Sequence, residues 1–127
     1  MTLINSYSTG EVNGNSDVGG FIGLKNDGQV NNCFWDTESS SIDTSADGTG
    51  KTAEMQTQST FTDADWDFVG ETENGTNDIW LMGDFCNNND YPLLKTDCFN
   101  VISKLKLLIF LGEEVILILL CAKAFLF

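Results

Sequence analysis

The chain of 127 residues contains no histidine and no arginine, and six lysines stand against 19 acidic residues. Each absence closes a class of function. Without histidine, no imidazole is available to take a proton from a serine or cysteine, and zinc would have to rely on thiolates and carboxylates. Without arginine there is no planar, bidentate clamp for phosphate or carboxylate. A net charge of −13 repels phosphate backbones, which excludes nucleic acid as a partner. Catalysis is left to carboxylates, lysine, serine or cysteine. Met1 to Ser6 has neither a basic start nor an apolar run, so no signal peptide is expected in this stretch.

The charge is unevenly placed. Residues 1–100 hold 17 acids and only Lys25, Lys51 and Lys95, whereas the last 27 residues hold Lys104, Lys106 and Lys123 against Glu113 and Glu114. An acidic surface rich in Asn, Asp, Thr, Ser and Gly suits an exported, soluble, loop-rich protein. Halophilic or calcium-rich surroundings suit it equally.

Four cysteines, Cys33, Cys86, Cys98 and Cys121, form no C-x-x-C pair, which argues against a metal knuckle or a thioredoxin-type site. Cys86 and Cys98 flank the turn-like Asn87 to Asp90 and suit a short disulfide loop. Free thiols acting as small apolar residues are the other reading.

What is present is a near-repeat. Asn5-Ser6-Tyr7 returns 27 residues later as Asn32-Cys33-Phe34, with Val18-Gly19-Gly20-Phe21-Ile22-Gly23-Leu24 between them. A fixed period of this size marks stacked architectures, in which each unit buries its apolar side against the next. Residues 2–36 read as short strands between Gly- and Asn-rich corners: Leu3 to Ser8, Glu11 to Asn13, Val18 to Leu24, and Gly28 to Asn31, which echoes Gly10 to Asn13. Thr37 to Gly50 reads as a polar loop with nothing to bury. Lys51 to Gln56 is expected as a short helix with Thr52 as N-cap and Glu54 in the first turn. Ile79 to Met82 reads as a strand and Tyr91 to Leu94 as an extended segment, with Pro92 holding Tyr91 extended.

Residues 101–127 change character, and fifteen residues between Leu105 and Phe127 are Leu, Ile, Val or Phe. The longest unbroken apolar run, Val115 to Ala122, is too short to span about 30 Å as a helix. Three readings stand: a helix that is buried or lies on a membrane, a true span, and a non-native readthrough sequence.

Asn5 to Gly10 followed by Val18 to Gly23, with Gly20-Phe21-Ile22-Gly23 in the Gly-Leu-x-Gly place, resembles the GLUG repeat of large bacterial and archaeal surface proteins. The likeness continues through Asn32 to Glu38, Gly48 to Met55, Gln58 to Phe61, Trp66 to Gly70, Asn74 to Thr76, Asp78 to Trp80 and Asp90 to Leu93. These look like the segment that closes such arrays, and together they cover about residues 5–94. The resemblance implies a secreted or surface β-solenoid protein, some members carrying adhesin or peptidase modules elsewhere, with no catalytic residues to carry over. This chain departs from the pattern in holding one repeat and in its apolar tail.

Four motifs invite sharper readings. Gly48-Thr49-Gly50-Lys51-Thr52 suggests a P-loop, but Ser45 stands where the first glycine belongs and the preceding stretch is polar, so a turn leading into a short helix is favoured. Asp63, Asp65 and Asp67 alternate as in a calcium loop, yet Phe68 and Asn74 stand where an EF-hand has glycine and glutamate. A looser calcium site and a solvated acidic turn remain. Trp35, Trp66 and Trp80 either stack on sugars or fill a core, the latter favoured. Asn74-Gly75-Thr76 is a glycosylation sequon in form and a turn by the bland reading. Nothing sets a carboxylate pair at glycosidase spacing.

The resulting expectation is a mainly β fragment. Residues 1–36 form the terminal coil of a parallel β-helix-like solenoid. Residues 37–95 form a small mixed cap with a core of Phe61, Trp66, Phe68, Ile79, Trp80, Tyr91 and Leu93, and 96–127 form an apolar, helical tail. The function expected is non-catalytic, structural or adhesion-type, at the cell surface or outside the cell. No catalytic, cofactor-binding or metal-ligating residue is assigned. Expected partners are neighbouring repeats and a surface glycan or protein, with membrane contact through 105–127. The alternatives are a carbohydrate- or calcium-binding module, and a piece of an envelope peptidase whose catalytic part lies elsewhere.

Overall fold

The computed structural model describes residues 1–83 and 90–98. The tail 101–127, Cys86 and Cys121 lie outside the described residues, and so do the expectations that fell on them. The chain divides into two compact units, Met1–Asp67 and Phe68–Phe127.

In the first unit the strands are short: β1 (Thr2–Ile4), β2 (Tyr7–Ser8), β3 (Gln29–Asn31), β4 (Phe34–Asp36) and β5 (Thr49–Lys51). Helix α1 (Thr37–Ser40) follows β4. A 3-10 helix (Ala53–Gln56) and α2 (Gln58–Thr62) follow β5. Both early ladders are parallel and share one register. Thr2, Leu3 and Ile4 pair with Gln29, Val30 and Asn31, and Tyr7 and Ser8 pair with Phe34 and Trp35. The 27-residue spacing of the sequence is therefore the register of these two ladders. The corner between each strand pair is an asparagine in the left-handed region, Asn5 at φ 48° and Asn32 at φ 52°, a conformation that Asn tolerates better than most residues.

The solenoid expectation is overturned. The described strands make a two-stranded sheet β1–β3, a three-stranded sheet β2–β4–β5 and a further two-stranded sheet, none of them closed and none running on as a solenoid sheet. Two physical causes are visible. First, the period is not kept: β4 pairs next with β5, Phe34 opposite Thr49, a much shorter return. Second, Val18 to Leu24 forms no strand. A Cβ on Gly19 would stand 2.1 Å from the Ile22 carbonyl oxygen, and one on Gly23 would stand 1.8 Å from that of Asp17. The glycines permit a loop folded tightly on itself. Its backbone bonds to another loop, Gly20 N–H to the Thr44 carbonyl at 3.0 Å and Ala46 N–H to that of Ile22 at 2.8 Å. Glu11 to Asn13 is likewise no strand; the Val12 N–H reaches the Ser40 carbonyl at 3.1 Å.

The polar stretch Thr37 to Gly50 is also more than a loop. Asp36 caps α1, its carboxylate accepting from the Glu38 and Ser39 N–H groups at 2.8 and 3.0 Å. That satisfies an acid only 5% exposed. Ser40 is fully buried, and residues 49–51 add β5 to the sheet. The expected helix after Lys51 is a 3-10 turn. Thr52 makes no side-chain cap bond to it; instead the Glu54 carboxylate accepts from the Thr52 N–H at 3.2 Å and from its hydroxyl at 3.0 Å.

The core of this unit is aromatic. Met55, Phe61 and Trp66 are wholly buried, with Cys33, Phe34 and Trp35 nearly so. Phe61 lies 4.9 Å from Trp66 and 5.4 Å edge-on to Phe34, and Tyr7 lies 6.5 Å from Phe61. Each such burial is worth about 1.5–3 kcal/mol in transfer free energy. Tyr7 and Phe34, one register step apart, both point into this cluster, so the near-repeat supplies two of its walls.

In the second unit β6 (Trp80–Leu81) pairs antiparallel with β7 (Leu93–Leu94), and Phe68 bridges to Trp80. Phe68 and Pro92 are buried. Trp80, Tyr91 and Leu93 are half-buried. Ile79, expected in the core, is 44% exposed. It immediately precedes the strand residue Trp80, and successive side chains of an extended chain face opposite ways. Cys98 is buried and disulfide-bonded. Cys33 is a free, buried thiol, so the partner of Cys98 lies outside the described residues.

Candidate functional site

The residues singled out for binding are mostly committed to structure. The Trp35 indole N–H donates to the Ile42 carbonyl at 3.1 Å and that of Trp66 to the Asn32 carbonyl at 2.9 Å. Both rings are buried, which removes them as platforms for a sugar. Trp80 is half-buried within β6. Asp63 and Asp65 are exposed while Asp67 is buried. Among the described residues no group of three potential ligands is placed to hold a metal ion.

The Gly48 to Thr52 motif does not make a phosphate cradle. Residues 49–51 are strand β5, and the Gly48 N–H already donates to the Asp47 carboxylate at 2.7 Å. The Lys25 ammonium, with that Gly48 N–H, holds the Asp47 carboxyl below its ordinary pKa. A second negative group at this place would meet Asp47 first. The Glu54 carboxyl is also lowered, by its own backbone N–H and by the Thr52 hydroxyl and N–H. At Asn74 to Thr76 the Glu71 carboxylate gathers the N–H groups of Glu73 and Asn74 at 2.8 and 3.0 Å, making a turn.

One polar hub escaped the sequence reading. The Ser45 hydroxyl accepts from the Phe21 and Ile22 N–H groups at 3.2 and 2.9 Å and donates to the Asp47 carbonyl at 2.7 Å. The Lys25–Asp47 ion pair lies beside it. These side chains satisfy a loop that would otherwise leave buried donors without partners. A serine in a polar stretch gives no periodic signal that marks it.

The surface most suited to a partner is a strand edge. Met1 and Leu3 on one side and Gln29 and Asn31 on the other carry the β1–β3 ladder. The Gln29 N–H reaches the Met1 carbonyl at 3.1 Å and the Asn5 N–H reaches that of Asn31 at 3.2 Å. In a parallel ladder alternate residues bond to opposite sides, so Thr2 and Ile4 direct their backbone groups away from β3. The Ile4 carbonyl accepts from the Ser6 hydroxyl at 2.9 Å, and among the described residues no strand pairs with the Thr2 N–H and carbonyl or the Ile4 N–H, which form an open edge. Met1 and Ile4, at the two ends of this edge, are 90% and 59% exposed. A depression of about 260 Å³ beside the ladder is lined by Met1, Leu3, Ile22, Leu24 and Val30 and, for the other half, by residues 25–29, which include Lys25 and Asp27. A bare parallel edge with apolar flanks is a template for strand addition.

No family model matches the chain, and no solved structure matches it. A protein of Evansella cellulosilytica, whose name describes a Gly-rich membrane protein, is 36% identical over 95 residues. The alignment covers 69% of this chain and 10% of that protein. The chain thus spans about a tenth of the length of the curated relative it matches.

Proposed function

We propose that the chain is a non-catalytic structural module of a surface or cell-envelope protein, adhesion-type in role, whose β1 edge receives a neighbouring repeat. The observation that carries this is the shared register of the two parallel ladders. A segment of the same pattern set one step before β1 would present the bonding groups that β1 presents to β3. The resemblance to a GLUG repeat supports the reading. So does the similar protein, long beside the matched part and named for a membrane. Among the described residues no helix is long and apolar enough to cross a membrane.

The test is a tandem chain in which a second copy of residues 1–27 precedes Met1. Two or three added backbone hydrogen bonds, each worth about 0.5–1.5 kcal/mol net, stabilise the unit by roughly 1–4.5 kcal/mol before the entropy of ordering the new loop is subtracted. A net gain of about 1 kcal/mol raises Tm by roughly 4–8 °C. The amides of Thr2 and Ile4 should also exchange more slowly. An unchanged Tm together with unchanged exchange at these two amides refutes the reading.

A further inference from the structure

The ladder has two open edges, and they match each other. On β3, Gln29 and Asn31 bond to β1, so Val30 directs its N–H and carbonyl to the far side. No strand pairs with that side among the described residues. One register step maps Met1, Leu3 and Asn5 onto Gly28, Val30 and Asn32, and both asparagines are left-handed. The edge that β3 leaves open therefore repeats the edge that β1 uses. By the same step Thr2 and Ile4, open on β1, map onto Gln29 and Asn31, the residues through which β3 bonds.

We propose that the protein associates head to tail with copies of itself, the open β3 edge of one copy adding in parallel to the open β1 edge of the next. The contact continues the β1–β3 ladder across a molecular boundary, with the exposed Ile4 beside it. Because two different edges meet, the association is heterologous and runs on as an open series instead of closing as a symmetric dimer. A charge of −13 on every copy opposes it. Association therefore strengthens with salt, as the screening length falls from about 30 Å at 0.01 M to about 8 Å at 0.15 M. The proposal rests on the reading of β1 as a pairing edge given above.

Two proline variants of the full chain test it. Thr2→Pro removes an N–H from the open β1 edge, and Val30→Pro removes one from the open β3 edge; neither N–H serves the internal ladder. In sedimentation velocity at 0.15 M salt, the unaltered chain should give a series of species that grows with concentration. Each variant alone should remain monomeric, and an equimolar mixture should stop at a dimer, formed by the intact β3 edge of Thr2→Pro and the intact β1 edge of Val30→Pro. Variant-free support comes from hydrogen exchange: the Thr2, Ile4 and Val30 amides should slow at least about tenfold between dilute and concentrated protein. The proposal fails if the unaltered chain is monomeric throughout. It also fails if both variants associate as the unaltered chain does, which would point to the apolar tail, or if the three amides exchange alike at both concentrations. If it fails while the tandem chain is stabilised, the neighbouring repeat stands without the second copy.

Discussion

Replacing Trp66 gives the most direct measure of what holds the first unit together. At about 0.05–0.15 kcal/mol per residue, a unit of Met1–Asp67 has roughly 3–10 kcal/mol of stability to lose. Trp66 is wholly buried, packs against Phe61 at 4.9 Å and Phe34 at 6.1 Å, and donates its indole N–H to the Asn32 corner at 2.9 Å. Trp66→Ala leaves a cavity and costs about 3–5 kcal/mol, enough to bring the unit near its unfolding threshold at 25 °C. Trp66→Phe keeps a ring in the cluster. It loses the hydrogen bond, about 0.5–1.5 kcal/mol, and part of the indole volume, so about 1–2.5 kcal/mol in all. Urea unfolding followed through the fluorescence of Trp35 and Trp80 separates the two variants. A cost below about 1 kcal/mol for Trp66→Ala would refute the claim that this residue joins the Asn32 corner to the aromatic core. Equal costs for the two variants would refute the division between packing and hydrogen bond.

Gly20→Ala sets a Cβ 2.0 Å from Trp35 Cδ1; displacing that ring, and with it the bond to Ile42, costs about 1–3 kcal/mol. A double-mutant cycle with Trp35→Phe should show coupling above about 0.5 kcal/mol, and additive costs would contradict the contact. At the Asn5 corner, φ 48° makes Asn5→Val destabilising by about 1–2 kcal/mol while Asn5→Gly stays near neutral, as thermal melts should show. The depressed Asp47 pKa means its contribution is present above the unfolded value of 3.8 and is lost as pH falls through the lower folded value. Lys25→Met should move the Asp47 carboxyl titration upward in NMR, and an unmoved titration would deny Lys25 its role. Buried Cys33 should react with a thiol reagent in urea far faster than in buffer; equal rates would show it accessible.

What the sequence made legible was the part governed by side-chain identity. The return of the Asn-x-aromatic triplet after 27 residues marked a stacking period, which is the register of two parallel ladders; that Tyr7 and Phe34 turn into the core was not read from it. Phe61, Trp66 and Phe68 were visible as core because they form a compact apolar patch in a polar stretch. What escaped is governed by the backbone. Val18 to Leu24 has the composition of a buried strand, yet Gly19 and Gly23 stand where a Cβ would collide with a carbonyl, a constraint that composition does not carry. Strand β5 lies in a polar stretch because ladder bonds are made by peptide groups whatever the side chains, so Thr49 to Lys51 gave no apolar signal. The calcium and sugar readings rested on residue type alone, which does not carry burial: Asp67 is buried while Asp63 and Asp65 are exposed, and Trp35 and Trp66 are buried with their N–H groups bonded to carbonyls.

The asparagine corners also determine where this chain can change length. Within residues 9–28 the backbone is held at Val12, Gly20 and Ile22, residues 13–17 between them are exposed, and doubling the length of a loop adds only about 0.6 kcal/mol of closure entropy. The spacer between Ile4 and Tyr7 has no such freedom. One residue added there turns Tyr7 away from Phe34 and Phe61, because a single-residue slip sends every following side chain to the opposite face. Length variation among chains of this kind is therefore expected to gather in the exposed residues 13–17 and to spare β3 and the triplets themselves.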